Sequence, residues 1–531
     1  DLAPLGNILY LKIIIAIGVL ILIIACINFT NLAIAQSSKR ASEIGIRKTM
    51  GAVRSMIAGQ FLAESIIIAS LSIFMAGAFV NLLLPWFNSV SQKDISWTND
   101  NIVFVGAAIL IIGLITGVFS GIYPASYLSA LEPAKILKDK RLSLGKVNWL
   151  RKGLIVFQFV VSIGLIASIL IIQYQLKYVQ TKALGYSSEQ KILIPLRTLE
   201  AQENYNRFKE SVEQLNGVKL VTAATSMPST PLMRDLPLYK EGQTSEDSKM
   251  HFMIQMDERY FEMLGVPFIE GRDLDREKDN FSFTSPTNKV IVNRASIEQL
   301  QIPQSDAVGA KLKINFRGEM KEFEVVGVIE NYHQASLHRA IEPIVYIISD
   351  QTSYIYAAIQ GDFLNNKDLL ANIEESWKSI APYTPFENQM LSDSVAKQYE
   401  SDTLTAQIIF AFAIVAIFIS SMGLFGLTLF EVERRVKEIG IRKILGASAS
   451  QIVYLIGSNL LKLIFIALIL AIPLSYWMMD KWLAEFAYKI TLNPIPFILA
   501  GVLALLITSL TVGYQALRAS FANPVDALKN D

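Results

Sequence analysis

Cysteine and histidine are nearly missing from this sequence, with one cysteine and three histidines in 531 residues. Cys26 lies inside an apolar run, so an intrachain disulfide is excluded and an activated thiolate is disfavoured. His251, His333 and His338 show no HExxH-type spacing and give no basis for a metal site. His333 stands in Glu330-Asn331-Tyr332-His333-Gln334, after a strand-like run, and reads as a hydrogen-bonding loop residue. No GxxxxGK[ST] phosphate loop occurs, and no Ser-His-Asp or paired-carboxylate arrangement can be assembled. The chain is therefore expected to be no enzyme and to bind no cofactor of its own. Any nucleotide chemistry must come from another polypeptide. Charged residues make up only 18%, with a formal net charge of +1, which argues against nucleic acid as a partner. The chain opens on Asp1 without a signal-peptide pattern.

Apolar residues are abundant instead, at 52%. Crossing a bilayer takes about 20 consecutive apolar residues. Seven runs qualify, at roughly 10–35, 56–86, 102–123, 153–174, 405–430, 452–478 and 493–514. Lysine and arginine alternate between the loops. Lys39, Arg40, Arg47, Lys48 and Arg54 follow the first run. Lys135, Lys138, Lys140, Arg141, Lys146, Arg151 and Lys152 follow the third, and Arg434, Arg435, Lys437, Arg442 and Lys443 follow the fifth. The other loops carry little beyond Lys93, Lys481 and Lys489. Positive charge stays on the cytoplasmic side. That places the basic loops and the C-terminus in the cytoplasm and Asp1 on the opposite face.

The long middle segment, about 176–400, then lies outside and reads as a folded α+β domain. Strand-like runs include Lys191–Leu196, Lys219–Thr222, Val290–Val292, Phe323–Val328 and Ile344–Ile348. Helix-like runs include Gln202–Leu215, Ala295–Leu300 and Lys367–Ile380, with turn stretches at Ser226–Asp235 and Asp279–Asn288. A helix from about Asp393 is expected to run on into the fifth span.

The basic loops contain a repeat. Glu43-Ile44-Gly45-Ile46-Arg47-Lys48, two further residues and Gly51-Ala52 return as Glu438-Ile439-Gly440-Ile441-Arg442-Lys443, two further residues and Gly446-Ala447. Each copy stands between two apolar runs, so the chain reads as an internal duplication. A weaker match pairs Tyr123–Lys138 with Tyr514–Lys529, each ending in a proline and a Leu-Lys step. Residues 1–9 align with the region near 396–404. The natural protein is thus expected to begin earlier, with a further span and a further outer domain, giving eight spans in all. In helical geometry Glu43 and Arg47 face each other at i,i+4, as do Glu438 and Arg442. The glycine-alanine pairs allow a turn or a close approach. A simple membrane anchor would need basic composition and not the same order twice. The motif is therefore read as a docking surface, with Arg40 and Arg435 at its start. Glu64, inside the second span, and Asn459 at its partner position are the intramembrane polar residues. The mismatch between them argues against a proton relay requiring both units.

The twice-repeated motif between spans resembles the FtsX-like permease domain of MacB-type ABC transporters. The stretches Lys289–Ala295, Val308-Gly309 and Phe323–Ile329 resemble that family's periplasmic core domain. The duplicated layout is similar to the long permeases of Bacteroidetes-type bacteria. This resemblance implies a polytopic α-helical membrane protein of the bacterial inner membrane, with about seven spans here and an α+β periplasmic domain. It implies the end of a missing periplasmic domain at 1–9, a first permease unit at 10–140 and a linker with the fourth span at 141–175. The periplasmic core domain then falls at 176–403 and a second permease unit at 404–531. It implies a separate ATPase subunit on the cytoplasmic side, which brings ATP and Mg, and a homodimer or pseudo-dimer of permeases in membrane lipid. A periplasmic adaptor is a further possible partner. Coupling to the ATPase would rest on Arg40, Glu43, Ile44, Gly45, Arg47, Lys48, Gly51, Arg435, Glu438, Ile439, Gly440, Arg442, Lys443 and Gly446. The function implied is transmission of ATPase-driven motion to the periplasmic domain, for efflux or release of an antimicrobial compound, peptide or lipoprotein. The alternative is a non-transporting signal relay, in peptide-antibiotic sensing or cell-wall hydrolase activation. A secondary transporter would need more midplane charge than Glu64 provides.

Overall fold

The structure, a computed structural model, describes residues 8–91, 94–97, 99–130, 145–232, 235–282, 284–316, 319–349 and 354–521. Residues 1–7, most of the basic stretch from Lys135 to Lys146 and the Pro524–Lys529 tail lie outside these. The chain forms two compact units. One takes the chain to Gln175, then Thr403–Trp482 and the chain from Thr491; the other is Leu176–Asp402 with Leu483–Ile490.

Among the described residues, the first unit is built on seven helices long and apolar enough to cross a membrane. They are Ile8–Thr49, Arg54–Ser91, Asn99–Ala130, Gly145–Thr181, Glu400–Arg434, Ala449–Leu483 and Ile495–Phe521. Hydrocarbon leaves a backbone no partner but itself, so each run closes into a helix. The hydroxyls do the same: Ser65 donates to the Phe61 carbonyl at 2.9 Å and Thr116 to that of Ile112 at 2.7 Å. Small residues bring the second and third helices together. A Cβ on Gly117 would stand 2.9 Å from that of Ala69. The fourth helix meets the fifth through a 2.8 Å hydrogen bond between Ser162 and Ser420. The first meets the fifth through Asn28, whose amide donates to the Ile419 carbonyl at 2.5 Å.

The second unit holds two sheets. The strands are β1 (Lys191–Pro195), β2 (Val218–Ala224), β3 (Asp235–Lys240), β4 (Lys249–Gln255), β5 (Phe268–Gly271), β6 (Thr287–Asn293), β7 (Lys311–Phe316), β8 (Glu319–Ile329), β9 (Ile344–Ile347), β10 (Tyr356–Gly361) and β11 (Gln389–Met390). The smaller sheet runs β11-β1-β10-β2, with every neighbour antiparallel. The larger runs β5-β8-β6-β9-β4-β3-β7 and closes on itself, because the long β8 also pairs with β7. Side chains alternate across this ring. Val290, Val292, Val345 and Ile347 fill one side, with Phe281 and Phe323. Ile291 and Tyr346 fill the other, with Tyr260, Phe261 and Tyr332. A third core packs Tyr205, Phe208, Ile373 and Trp377 on the smaller sheet.

Four local expectations change. The helix foreseen over Gln202–Leu215 is two, Leu199–Glu203 and Tyr205–Glu213, interrupted at Asn204. The helix foreseen from Asp393 into the fifth span is also two, Leu391–Lys397 and Glu400–Arg434. There Tyr399 is buried, and its hydroxyl accepts the Leu337 N–H at 2.8 Å, which holds the interruption in place. The expected turn stretches Ser226–Asp235 and Asp279–Asn288 each give way to a strand at the end, where β3 begins at Asp235 and β6 at Thr287.

Candidate functional site

Both copies of the repeated motif are helical, and both helices stop at the glycine. Gly51 has φ +96° and Gly446 φ +91°, a left-handed conformation that a Cβ opposes. The bonds around them match in pairs. Gly51 N–H donates to the Lys48 carbonyl at 3.1 Å and Ala52 N–H to that of Arg47 at 3.0 Å. Gly446 N–H donates to the Lys443 carbonyl at 3.0 Å and Ala447 N–H to that of Arg442 at 2.9 Å. This double closure is the Schellman ending, and it explains the repeated glycine.

The rest of the motif divides by face. Ile44, Gly45, Ile439 and Gly440 are buried. Ile44 packs against Ile57 at the start of the second spanning helix, with Ala52 and Phe61 beside it. The ion pairs fall on the outer face: Arg47 to Glu43 at 2.6 Å and Arg442 to Glu438 at 2.9 Å. Such exposed i,i+4 pairs are each worth only about 0.3–0.5 kcal/mol, so their contribution is to shape a surface more than to hold the fold. Apolar side chains stand beside them. Ile46, Met50, Val53 and Met56 are exposed in the first copy, and Ile441, Ile444, Leu445 and Tyr454 in the second. Sequence reading named Ile44 and Ile439 and not these, because nothing in the local order shows which apolar side chains stay exposed.

The copies also differ. The first motif ends a helix unbroken from Ile8 to Thr49, whereas the second occupies a separate helix, Val436–Ile444. Arg435 fills the interruption and turns back to Glu431 at 2.6 Å. Glu431 also lies 3.7 Å from Arg151 of the fourth spanning helix. Arg40 lies on the first helix, with its side chain outside the described residues. Lys48 donates to the Ser129 carbonyl at 2.6 Å, at the end of the third spanning helix. Lys443 is half-buried. Arg47 donates to Gln60 at 2.8 Å, and Gln60 donates to Glu64 at 3.2 Å. Glu64 is thereby linked to the motif through its own helix. Asn459 is exposed, and Leu455 stands where the first copy has Gln60. The i,i+4 spacing of Gln60 and Glu64 was the available signal for this link.

In the α+β unit the buried charge of Asp257 is paired within the fold. Asp257 is fully buried and takes Lys209 at 2.9 Å, Arg276 at 2.7 Å and the Tyr205 hydroxyl at 2.6 Å. Burial and the neighbouring Asp257 push the Tyr205 hydroxyl well above its ordinary range. Burial, with Lys182 nearby, lowers the His333 imidazole to about 4. Among the described residues, no group of three His, Cys, Asp or Glu side chains is placed to hold a metal ion.

Seven spanning helices among the described residues, with an extramembrane domain of mixed sheets, define a helical membrane permease. The FtsX-like permease C-terminal family matches residues 15–133 and again 410–524, and the MacB-like periplasmic core domain family matches 159–372. The chain thus carries an FtsX-like permease domain in two copies and a MacB-like periplasmic core domain between them. It is 37% identical over 129 residues to the macrolide export ATP-binding/permease protein MacB of Bradyrhizobium diazoefficiens, covering 23% of this chain and 18% of that protein. To the MacB of Bdellovibrio bacteriovorus it is 32% identical over 126 residues, again 23% of this chain and 18% of that one. The uncharacterized ABC transporter permease YvrN of Bacillus subtilis is 25% identical over 338 residues, 57% of this chain and 77% of that protein. The match thus spans under a fifth of the two MacB proteins. Among solved structures, the periplasmic region of MacB from Actinobacillus actinomycetemcomitans aligns at 14% identity and a TM-score of 0.29, over 42% of this chain and 97% of that one.

Proposed function

We propose that this chain is the permease subunit of an ABC transporter, driven by a separate ATPase that docks on residues 38–54 and 433–450. The supporting observation is the matched pair of glycine-capped motif helices. Each presents a Glu–Arg pair beside exposed isoleucine and methionine or leucine. An apolar knob rimmed by charge has the make-up of a protein-docking surface. ATP and Mg belong to the partner in this reading. The motif faces the cytoplasm together with the C-terminus, and 176–403 is the periplasmic domain between permease units 10–140 and 404–531. Closure of the ATPase moves the spanning helices, and these move the domain, so that a substrate such as an antimicrobial compound, peptide or lipoprotein is expelled or released. Two permeases, or the two units of one chain, complete the complex.

The test is the double variant Arg47→Glu, Arg442→Glu in the full chain. Loss of the co-purified ATPase, or a fall of about tenfold or more in its turnover, is expected from reversing two rim charges. Unchanged capture and turnover would count against the reading.

A further inference from the structure

Between the sixth and seventh spanning helices the chain makes a short excursion, Leu483–Ile490, which belongs to the α+β unit. Its seat there is His333–His338. Ala487 N–H donates to the His338 carbonyl and Tyr488 N–H to the Leu337 carbonyl, each at 3.2 Å. Phe486 is buried and stacks on the His338 ring at 4.0 Å. Tyr488 meets His333 edge to face at 4.6 Å.

The same segment receives two further stretches of chain. His333 N–H donates to the Leu184 carbonyl at 2.8 Å, and Lys182 stands 4.7 Å from the centre of the Tyr488 ring. Both residues follow directly on the helix Gly145–Thr181. From the other side, Tyr399 accepts the Leu337 N–H at 2.8 Å. The Asp402 side chain, 3% exposed, lies 3.7 Å from His338 Nε2. Asp402 sits in the first turn of the helix Glu400–Arg434. Every passage of the chain between the two units, near Leu176, Asp402, Leu483 and Ile490, adjoins one of these three stretches.

We infer that His333–His338 is a positioning element. It gathers the continuations of the fourth, fifth and sixth spanning helices at one place in the α+β domain, and Phe486 is the anchor of the third attachment. A single gathering point lets helix displacement reach the domain as one motion. Separate attachments would instead dissipate it in loops. The anchoring stands on its own contacts; its part in transmission rests on the ATPase-driven reading above.

Hydrogen exchange of the full chain in lipid nanodiscs, with its co-purified ATPase, tests both parts. Phe486→Ala should speed exchange at Ala487 and Tyr488 about tenfold or more, and Phe486→Tyr should restore it, while β6 and β8 amides keep their protection. Equal exchange at 487–488 in wild type and Phe486→Ala overturns the inference. With ATP and vanadate, the wild-type complex should change exchange across 333–338. Phe486→Ala should lose at least about half of that change at an unaltered ATPase rate. An equal change in both also overturns it. Failure to recover any ATPase sinks the proposed function instead, because the comparison at 487–488 needs no nucleotide.

Discussion

Asn28 of the first spanning helix packs directly on Gly423 of the fifth, and the two occupy the same position in the two copies of the repeat. The two helices therefore cross at matching points, as the partners of a two-fold pair do. One copy supplies a carboxamide and the other the space for it. The Asn28 amide completes the contact by donating to the Ile419 carbonyl at 2.5 Å.

Any Cβ at 423 collides with the Asn28 carboxamide. Gly423→Leu should cost about 1–3 kcal/mol by overpacking. Asn28→Ala in the same chain should recover part of that. A double-mutant cycle on thermal unfolding in detergent should give a coupling of at least about 0.5 kcal/mol. Strict additivity would show that the crossing is absent.

The motif endings make a separate demand. Valine at 51 or 446 must take the left-handed conformation, at roughly 1–2 kcal/mol, whereas asparagine tolerates it better. Gly446→Val should speed amide exchange at Ala447 more than Gly446→Asn does. Equal exchange in the two variants would remove the backbone argument.

Asp257 neutralises two cations from inside the α+β unit. Asp257→Ala leaves Lys209 and Arg276 without it and should destabilise the unit by about 3–5 kcal/mol. Denaturant unfolding followed by tryptophan emission reports this, since Trp377 is buried in the same unit. A loss below about 1 kcal/mol would mean the clasp is open in solution.

His333 gives an acid sensitivity. Its imidazole titrates near 4 in the folded chain, against an ordinary 6.5. Between those values the unfolded chain binds a proton that the folded chain does not. Stability is therefore complete above about 6.5 and falls as pH drops toward about 4, by at most about 3 kcal/mol. His251, which burial also lowers, acts in the same direction. His333→Gln should flatten the slope of unfolding free energy across that window. An unchanged slope would assign the acid sensitivity elsewhere.

The membrane helices were legible because hydrocarbon imposes a length and a composition on each of them. The motif was legible because its order recurs, and the structure adds the reason for the glycine in the left-handed backbone at Gly51 and Gly446. The α+β unit was read only in part. Strands β6, β8 and β9 carry dense Val/Ile runs and were anticipated. β3 contains Pro237 and opens inside an expected turn, and β4 interleaves lysine, histidine and methionine without clean alternation. The Asn204 and Tyr399 interruptions depend on tertiary contacts, which no local pattern records. The docking of Phe486 on His338 was invisible for the same reason, because the two stand far apart in sequence.

The unbroken helix from Ile8 to Thr49 has a mechanical corollary. At ~1.5 Å per residue it is a rod about 60 Å long, twice the thickness of the hydrocarbon layer. A shaft without a break can tilt only as one piece. In the other copy the break at Arg435 divides the corresponding stretch into Glu400–Arg434 and Val436–Ile444, so the two copies are unequal levers, one a continuous shaft and the other jointed.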